Sequence, residues 1–114
     1  MRNRVISALA GAALLLGGTV AAHAQDALER VTAAGVLKVG TETAFAPFDF
    51  IDAGTHTGLN MDAFAEIGKE LGVEIEWVTL DWAGVLPGLE AGQFDMVAGP
   101  ATVTAARMER YRFT

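Results

Sequence analysis

The stretch VEIEWVTLDWAGVLPGLEAGQFDMVA, residues 73–98, predicts a strand, a helix and a second strand in succession. Apolar and polar side chains alternate early in Val73–Leu80, which is typical of a strand with one face in water. Asp81 is placed to cap a helix that ends near Gly92, and Phe94–Ala98 forms the next strand. Strands joined by a helix pair in parallel, so this stretch predicts an α/β sheet.

The flanking sequence continues this alternation of helices and strands. Asn60 is placed to cap one helix and Thr104 another, while Pro87 requires its own helix to begin close before it. The remaining predicted elements are a helix over 26–34, a strand over 36–40, an extended segment over 48–52, a turn over 53–58, and helices over 61–71 and 105–111. The order predicts a parallel sheet with right-handed crossovers.

The first residues have the pattern of a cleaved secretory signal peptide. Arg2 and Arg4 precede an apolar run over Val5–Val20, and Ala22-His23-Ala24 has the small residues that signal peptidase requires. The alternative is a membrane-spanning helix, but glycines and small polar residues interrupt the run. We therefore predict a signal peptide over residues 1–24 and a mature chain that begins at Gln25.

Composition excludes several classes of function. The net charge is −6, and loss of the two signal-peptide arginines makes the rest more acidic, so nucleic acid is an unsuitable partner. The sequence has no basic amphipathic stretch for an anionic membrane and no cysteine. His56 is the one histidine after the signal peptide, and it stands alone in the predicted turn. We therefore expect no metal site and no cofactor.

Length predicts an incomplete architecture. A three-stranded parallel sheet needs cover on both faces, and residues 25–114 can bury only a modest core. The sequence ends at Thr114 with no turn or cap after the last predicted helix. We therefore expect these residues to form part of a longer protein.

Taken together, the predicted elements and loops resemble the family 3 periplasmic solute-binding proteins, which carry polar amino acids to ABC transporters. The segments that carry the resemblance are residues 39–48, 58–65, 81–89 and 92–99, with Thr102-Val103-Thr104 and Arg107. The resemblance implies a type II periplasmic-binding-protein fold of two α/β lobes around a ligand cleft. Residues 25–114 would form the N-terminal part of the first lobe, with the second lobe absent.

In the family, an arginine and a small hydroxyl residue bind the α-carboxylate of the ligand, and the resemblance assigns these roles to Arg107 and Thr102. A guanidinium on the first turn of the last helix can grip a carboxylate through two parallel hydrogen bonds. The alternative is a solvated helix arginine, as expected for Arg110 and Arg112. Pro100 departs from the serine-rich family loop and removes one backbone donor.

The resemblance also implies an aromatic wall and a site for the ligand ammonium. Phe45 and Trp82 occupy positions where the family packs side chains against the ligand, although both could instead belong to the core. Glu42 could hold an amine, or it could be an ordinary surface charge. Gly99 could present its carbonyl to the ammonium, or serve only as a turn residue.

The function implied by the resemblance is binding of a small polar solute, most simply an amino acid, in the periplasm. Ligand would dock on this lobe, the second lobe would close over it, and a membrane ABC permease would read the closed monomer. The alternatives are an enzyme on the same scaffold, either like cyclohexadienyl dehydratase or associated with a lytic transglycosylase, and the sensory domain of a membrane receptor kinase. The sequence shows no nucleophile–base pair, so we expect no enzyme. We also expect half a cleft alone to bind no amino acid measurably.

Overall fold

The computed structural model describes residues 22–114, with side chains from residue 26 onward. The predicted signal peptide lies outside the described residues except for its last three, with which the first helix begins. The elements are α1 (Ala22–Ala34), β1 (Val36–Thr41), β2 (Ala44–Phe45), β3 (Asp49–Asp52), β4 (Thr55–Thr57), α2 (Leu59–Leu71), β5 (Glu74–Thr79), α3 (Trp82–Glu90), β6 (Met96–Val97) and α4 (Ala105–Met108). None of these helices is both long and apolar enough to cross a bilayer.

The predicted parallel sheet is present, with the strand order β5-β1-β6. The central strand β1 pairs with β5 from Val36↔Glu74 to Thr41↔Thr79, and with β6 at Val39↔Met96 and Gly40↔Val97. The strand β6 is shorter than the predicted Phe94–Ala98 because only two of its residues join the ladder. The central position of β1 explains why its sequence is mostly apolar.

One face of the parallel sheet packs against α1 and α2. Leu37 and Val39 of β1 form a buried cluster with Val31 of α1 and Phe64 of α2. Val39 is fully buried, and burial of a valine side chain contributes about 1.5–3 kcal/mol to stability. This cluster is the main core of the described residues.

The opposite face packs against α3, and glycine permits the close approach. Side chains alternate along a strand, so Gly40 faces away from the first cluster. A Cβ placed on Gly40 would lie 2.3 Å from the ring of Phe94, and one on Gly88 of α3 would lie 2.9 Å from the same ring. The Phe94 ring is therefore confined between the strand and the helix, and it is buried, as is Val85 of α3.

A second, antiparallel sheet follows β1, in the order β2-β3-β4. The prediction of an extended segment is confirmed by β3, but the predicted turn over 53–58 is too long. Residues 55–57 pair with β3, for example Ile51 with His56, so the turn itself occupies only Ala53 and Gly54. The prediction missed β4 because threonine and histidine beside glycines are typical of turns, whereas pairing across the hairpin decides their conformation.

Two of the expected helix caps differ from the prediction. The helix α2 begins at Leu59 with Gly58 at its N-cap, and Asn60 directs its amide elsewhere. Asp81 holds the N-cap position of α3 but makes no capping hydrogen bond, whereas the Thr104 hydroxyl accepts one from the Arg107 backbone N–H. Pro87 is the sixth residue of α3, beyond the first turn where we expected it, so it removes a helical N–H.

Candidate ligand-binding site

The loops that follow the three parallel strands meet at one edge of the sheet. Glu42 follows β1, Trp82 follows β5 as the first residue of α3, and the loop 98–104 follows β6. The carboxyl ends of parallel strands share an edge, and ligands of open α/β sheets bind there. The topology therefore places the predicted site residues together although they are far apart in sequence.

These loops enclose a cleft of about 250 Å³. It is lined by Glu42, Phe45, Trp82, Pro100, Ala101, Thr102 and Arg107. The structure thus brings together all but one of the residues predicted for the site. The exception is Gly99, which lines the neighbouring cavity described below.

The guanidinium of Arg107 is held in place by two neighbours. Its Nη1 donates a hydrogen bond to the Thr102 carbonyl at 2.8 Å, and its Cζ lies 5.9 Å from the ring centroid of Trp82. A cation over an indole face at this distance is attracted by the ring quadrupole. No carboxylate within the described part of the chain forms an ion pair with Arg107. Its other N–H groups can therefore receive an anion.

The loop before α4 has fewer free backbone donors than expected. Pro100 has no N–H, and Ala101 donates its own to the Gly99 carbonyl at 2.7 Å. The Gly99 oxygen keeps one acceptor position, because a carbonyl has two lone pairs. A carboxylate bound here would consequently depend mainly on Arg107 and the exposed Thr102.

Two aromatic residues, Phe45 and Trp82, line the cleft. Phe45 is 41% exposed, and its ring stacks on Phe48 with centroids 5.5 Å apart. Trp82 is partly buried, and a Cβ on Gly99 would lie 3.1 Å from its ring, so glycine allows the loop to run close against the indole. The exposed Phe45 face and the Trp82 ring can both contact a bound apolar group.

Glu42 supplies a negative charge to a cleft that otherwise contains the positive charge of Arg107. A cleft with one carboxylate, one guanidinium and two aromatic rings matches the charges and the side chain of a zwitterionic amino acid. Among residues 26–114, no three histidine, aspartate or glutamate side chains are grouped so that they could hold a metal ion.

A larger cavity of about 480 Å³ lies behind the loop, among α2, α3, β6 and residues 111–114. Its apolar lining includes Phe64, Leu89, Val103 and Phe113. Arg107 does not line it, whereas Arg112, which we expected to be a solvated arginine, does.

Sequence reasoning missed a buried polar network beside the cleft. Asp49 is 1% exposed, and its carboxylate accepts hydrogen bonds from His56 Nε2 at 2.9 Å and from the Asn60 amide. The Asn60 amide also donates to the Ala98 carbonyl at 2.8 Å. His56 is therefore a partner of Asp49 on β4 and does not stand alone in a turn. The one sequence signal was an aspartate between two phenylalanines.

The chain resembles amino-acid-binding proteins in both sequence and structure. It is 33% identical over 105 residues to the probable amino-acid ABC transporter-binding protein of Haemophilus influenzae, covering 88% of this chain and 41% of the relative. The ancestral amino-acid-binding protein AncCDT-1, described as a precursor of cyclohexadienyl dehydratase, matches at a TM-score of 0.68 and 38% identity, over 72% of this chain and 37% of that one.

A further structural match is the arginine-bound form of domain 1 from TmArgBP, solved as its Phe57Trp mutant. The TM-score is 0.69 and the identity 32%, over 72% of this chain and 64% of that one. The neighbours are type II periplasmic binding proteins, which confirms the predicted fold class. Residues 37–114 match the family profile, so the chain belongs to the bacterial extracellular solute-binding proteins, family 3.

Proposed function

We propose that this chain forms one wall of the ligand cleft in a receptor that binds an amino acid outside the cytoplasm. The observation that carries the proposal is the cleft in which Arg107, Thr102, Glu42, Phe45 and Trp82 meet. These residues come from three separate parts of the sequence, and together they provide a cation, an anion and an apolar surface. A free amino acid presents the complementary groups.

The relatives support an amino acid as the ligand class. The Haemophilus influenzae relative is described as an amino-acid ABC transporter-binding protein, and the domain 1 structure holds arginine. This chain spans 41% of the length of the Haemophilus influenzae relative, so the activity of the whole protein belongs to the proposal. The arginine-bound domain 1 also weakens our expectation that residues 25–114 alone bind nothing.

In the proposed binding mode, Arg107 and Thr102 hold the α-carboxylate and Glu42 faces the ammonium, while Gly99 lies outside the cleft and lets the loop run close to Trp82. The ligand side chain lies between Phe45 and Trp82. The cleft volume of about 250 Å³ is below the roughly 300–1,000 Å³ of typical small-molecule pockets. A second lobe that closes over the cleft would complete the enclosure and exclude water.

Titration calorimetry of the full-length protein with L-arginine, L-histidine, L-cystine and L-glutamate tests the proposal. We expect one of these to bind, and Arg107→Ala to weaken its binding by about 2–4 kcal/mol, as for loss of a desolvated charge partner. Arg110→Ala is the matched control, because Arg110 pairs with Glu90 outside the cleft. Equal affinities of the two variants would remove Arg107 from the site.

An enzyme on this scaffold is the second candidate, since AncCDT-1 is described as a precursor of cyclohexadienyl dehydratase. Within the described residues, Glu42 and Arg107 are the ionisable groups that line the cleft. Neither is paired with a nucleophile there, and the named relatives are mainly binding proteins, so we favour binding without turnover. Dehydration of a cyclohexadienyl acid by the purified full-length protein would reverse this choice.

The remaining parts of the proposal concern location and partners. We propose a periplasmic monomer that delivers its ligand to a membrane ABC permease, as the name of the Haemophilus influenzae relative suggests. Cell fractionation tests the location, and ligand-dependent stimulation of ATP hydrolysis by the permease complex tests the delivery.

A further inference from the structure

The network of Asp49, His56 and Asn60 is hydrogen-bonded to Ala98, just before the loop residues 100–102 that line the cleft. The ladder between β1 and β6 ends where the Ala98 N–H donates to the Gly40 carbonyl at 3.0 Å. The next backbone group along the chain, the Ala98 carbonyl, accepts from the Asn60 amide. Along the chain, this is therefore the last hydrogen bond to the core before the loop that begins at Gly99.

Both protons of the Asn60 amide are committed. One goes to the Ala98 carbonyl and the other to the carboxylate of Asp49. An amide nitrogen has only two protons, so the position of the carboxylate fixes the direction of the bond to Ala98. Asn60 in turn is the second residue of α2, whose Phe64 belongs to the buried core.

The Asp49 carboxylate is itself oriented by β4. His56 Nε2 donates to its other oxygen, and the His56 ring packs edge-on against Trp77 with centroids 5.4 Å apart. Trp77 packs in the same way against Phe64 of the core, again at 5.4 Å. Every buried side-chain nitrogen and oxygen among the described residues has a hydrogen-bond partner.

A few hydrogen bonds connect the Ala98 carbonyl to the residues proposed to bind the ligand, so a change in its position can reach them. Gly99 follows Ala98 directly and accepts the Ala101 N–H, and the Thr102 carbonyl accepts the Arg107 guanidinium. A shift of the Ala98–Gly99 peptide would move the loop against Trp82, where a Cβ on Gly99 would already be only 3.1 Å from the ring.

We infer that Asn60, oriented by Asp49 and His56, is a positioning residue for the ligand loop 99–102. It touches no ligand and acts through the Ala98 carbonyl. The inference rests on the proposed function for its effect on affinity, but its effect on the loop is independent of any ligand.

Hydrogen exchange of the unliganded full-length protein tests the positioning role without a ligand. In Asn60→Ala we expect the amides of Ala98 and Ala101, which donate to the Gly40 and Gly99 carbonyls, to exchange about tenfold faster, the equivalent of one lost hydrogen bond. Asp62→Ala, an exposed change in the same helix turn, is the control and should leave these amides unchanged. Unchanged exchange of these two amides in a folded Asn60→Ala protein would overturn the inference.

A milder pair of variants covers the case in which Asn60→Ala does not fold. Asp49→Asn keeps the shape and one acceptor oxygen but loses the charge, so the same amides should exchange about threefold faster. Asp52→Asn, an exposed change on the same strand, should have no effect. Equal exchange in these two variants would also overturn the inference.

Binding adds a readout that a merely structural residue would not change. With whichever of L-arginine, L-histidine, L-cystine or L-glutamate binds the wild type, Asn60→Ala should weaken affinity about tenfold well below its unfolding temperature. Wild-type affinity of the folded variant would contradict the inference. If none of the four binds the wild type, the proposed function fails, and the exchange experiment still decides the role of Asn60.

Discussion

The two sheets of this molecule are held to the core by different forces. The parallel sheet packs by apolar burial on both faces, with Val39 and Val85 fully buried. The antiparallel sheet leaves Ile51 of β3 half exposed and attaches through the buried carboxylate of Asp49. The attachment of the parallel sheet therefore depends on apolar packing, and that of the antiparallel sheet depends on hydrogen bonds.

This difference explains where the hydrophobic pattern predicts structure correctly. Burial of apolar surface is roughly additive over a strand, so the pattern is visible in the sequence. A hydrogen-bond network depends on which donors meet which acceptors, and the sequence contains no such pairing information. The two regions should therefore respond to different kinds of substitution.

Steric disruption of the parallel sheet should have the largest effect. Gly40→Ala places a methyl group 2.3 Å from the Phe94 ring, and both strand and helix confine that ring. Overpacking of this kind costs typically 1–3 kcal/mol, and we expect about 3 kcal/mol because the nearest atoms are buried. Urea unfolding of the full-length protein measures the change.

The matched control for Gly40 is Gly84 of α3. The nearest atom to a Cβ at Gly84 is Leu80 Cβ at 3.8 Å, an ordinary contact. Alanine is the better helix former by about 1 kcal/mol, so Gly84→Ala should leave stability equal or higher. A smaller loss of unfolding free energy for Gly40→Ala than for Gly84→Ala would show that the Phe94 ring can move away from the added methyl group.

Removal of the Asp49 carboxylate, which accepts hydrogen bonds from His56 and Asn60, should cause the next largest loss of stability, and mainly in the antiparallel sheet. Asp49→Ala leaves the donors of His56 and Asn60 unpaired in a buried site, at a cost of about 1–3 kcal/mol. Asp52→Ala on the same strand should change stability by less than about 0.5 kcal/mol, because Asp52 is exposed. Local exchange should rise in β3 and β4 more than in β1. Uniform loosening of both sheets would contradict the separation of the two regions.

Most of the fold could be predicted from the sequence. The strands β1 and β5 and the helix α2 follow directly from their apolar periodicity and from glycines at their ends. The strand β4 could not, because its conformation depends on pairing with β3. Asn60 was expected to cap α2, since asparagine is a common cap, but a buried carboxylate offers its amide a stronger partner.

The cleft was predictable only through the family resemblance. Arg107, Thr102 and Glu42 carry no local pattern that separates them from surface residues, and only the strand order brings them to one edge. The same limit explains why Asp49 and His56 were missed, since neither residue type alone indicates burial. A site formed by residues that are distant in sequence can be predicted only after the strand order is known.

The smallest expected effect on stability concerns residues 109–114, which follow α4. Arg110 and Tyr111 of this segment contact Glu90 at the end of α3 through surface polar groups. The Tyr111 hydroxyl donates to the Glu90 carboxylate, and this hydrogen bond, with burial and the charge of Glu90, raises the pKa of Tyr111 above its usual value. The bond therefore contributes to stability below the ordinary tyrosine pKa of about 10, and the contribution is lost as pH rises through the raised pKa.

Tyr111 is the single tyrosine of the sequence, so an ultraviolet titration of tyrosinate reports on it alone. Glu90→Gln should lower the titration midpoint toward the ordinary value, while Glu109→Gln, which removes an exposed carboxylate outside this hydrogen bond, should leave it unchanged. A wild-type midpoint at or below that of Glu90→Gln would show that the segment is not attached through Glu90. A midpoint that falls in Glu90→Gln would instead group the segment with the antiparallel sheet, among the parts of the chain that polar contacts attach to the core.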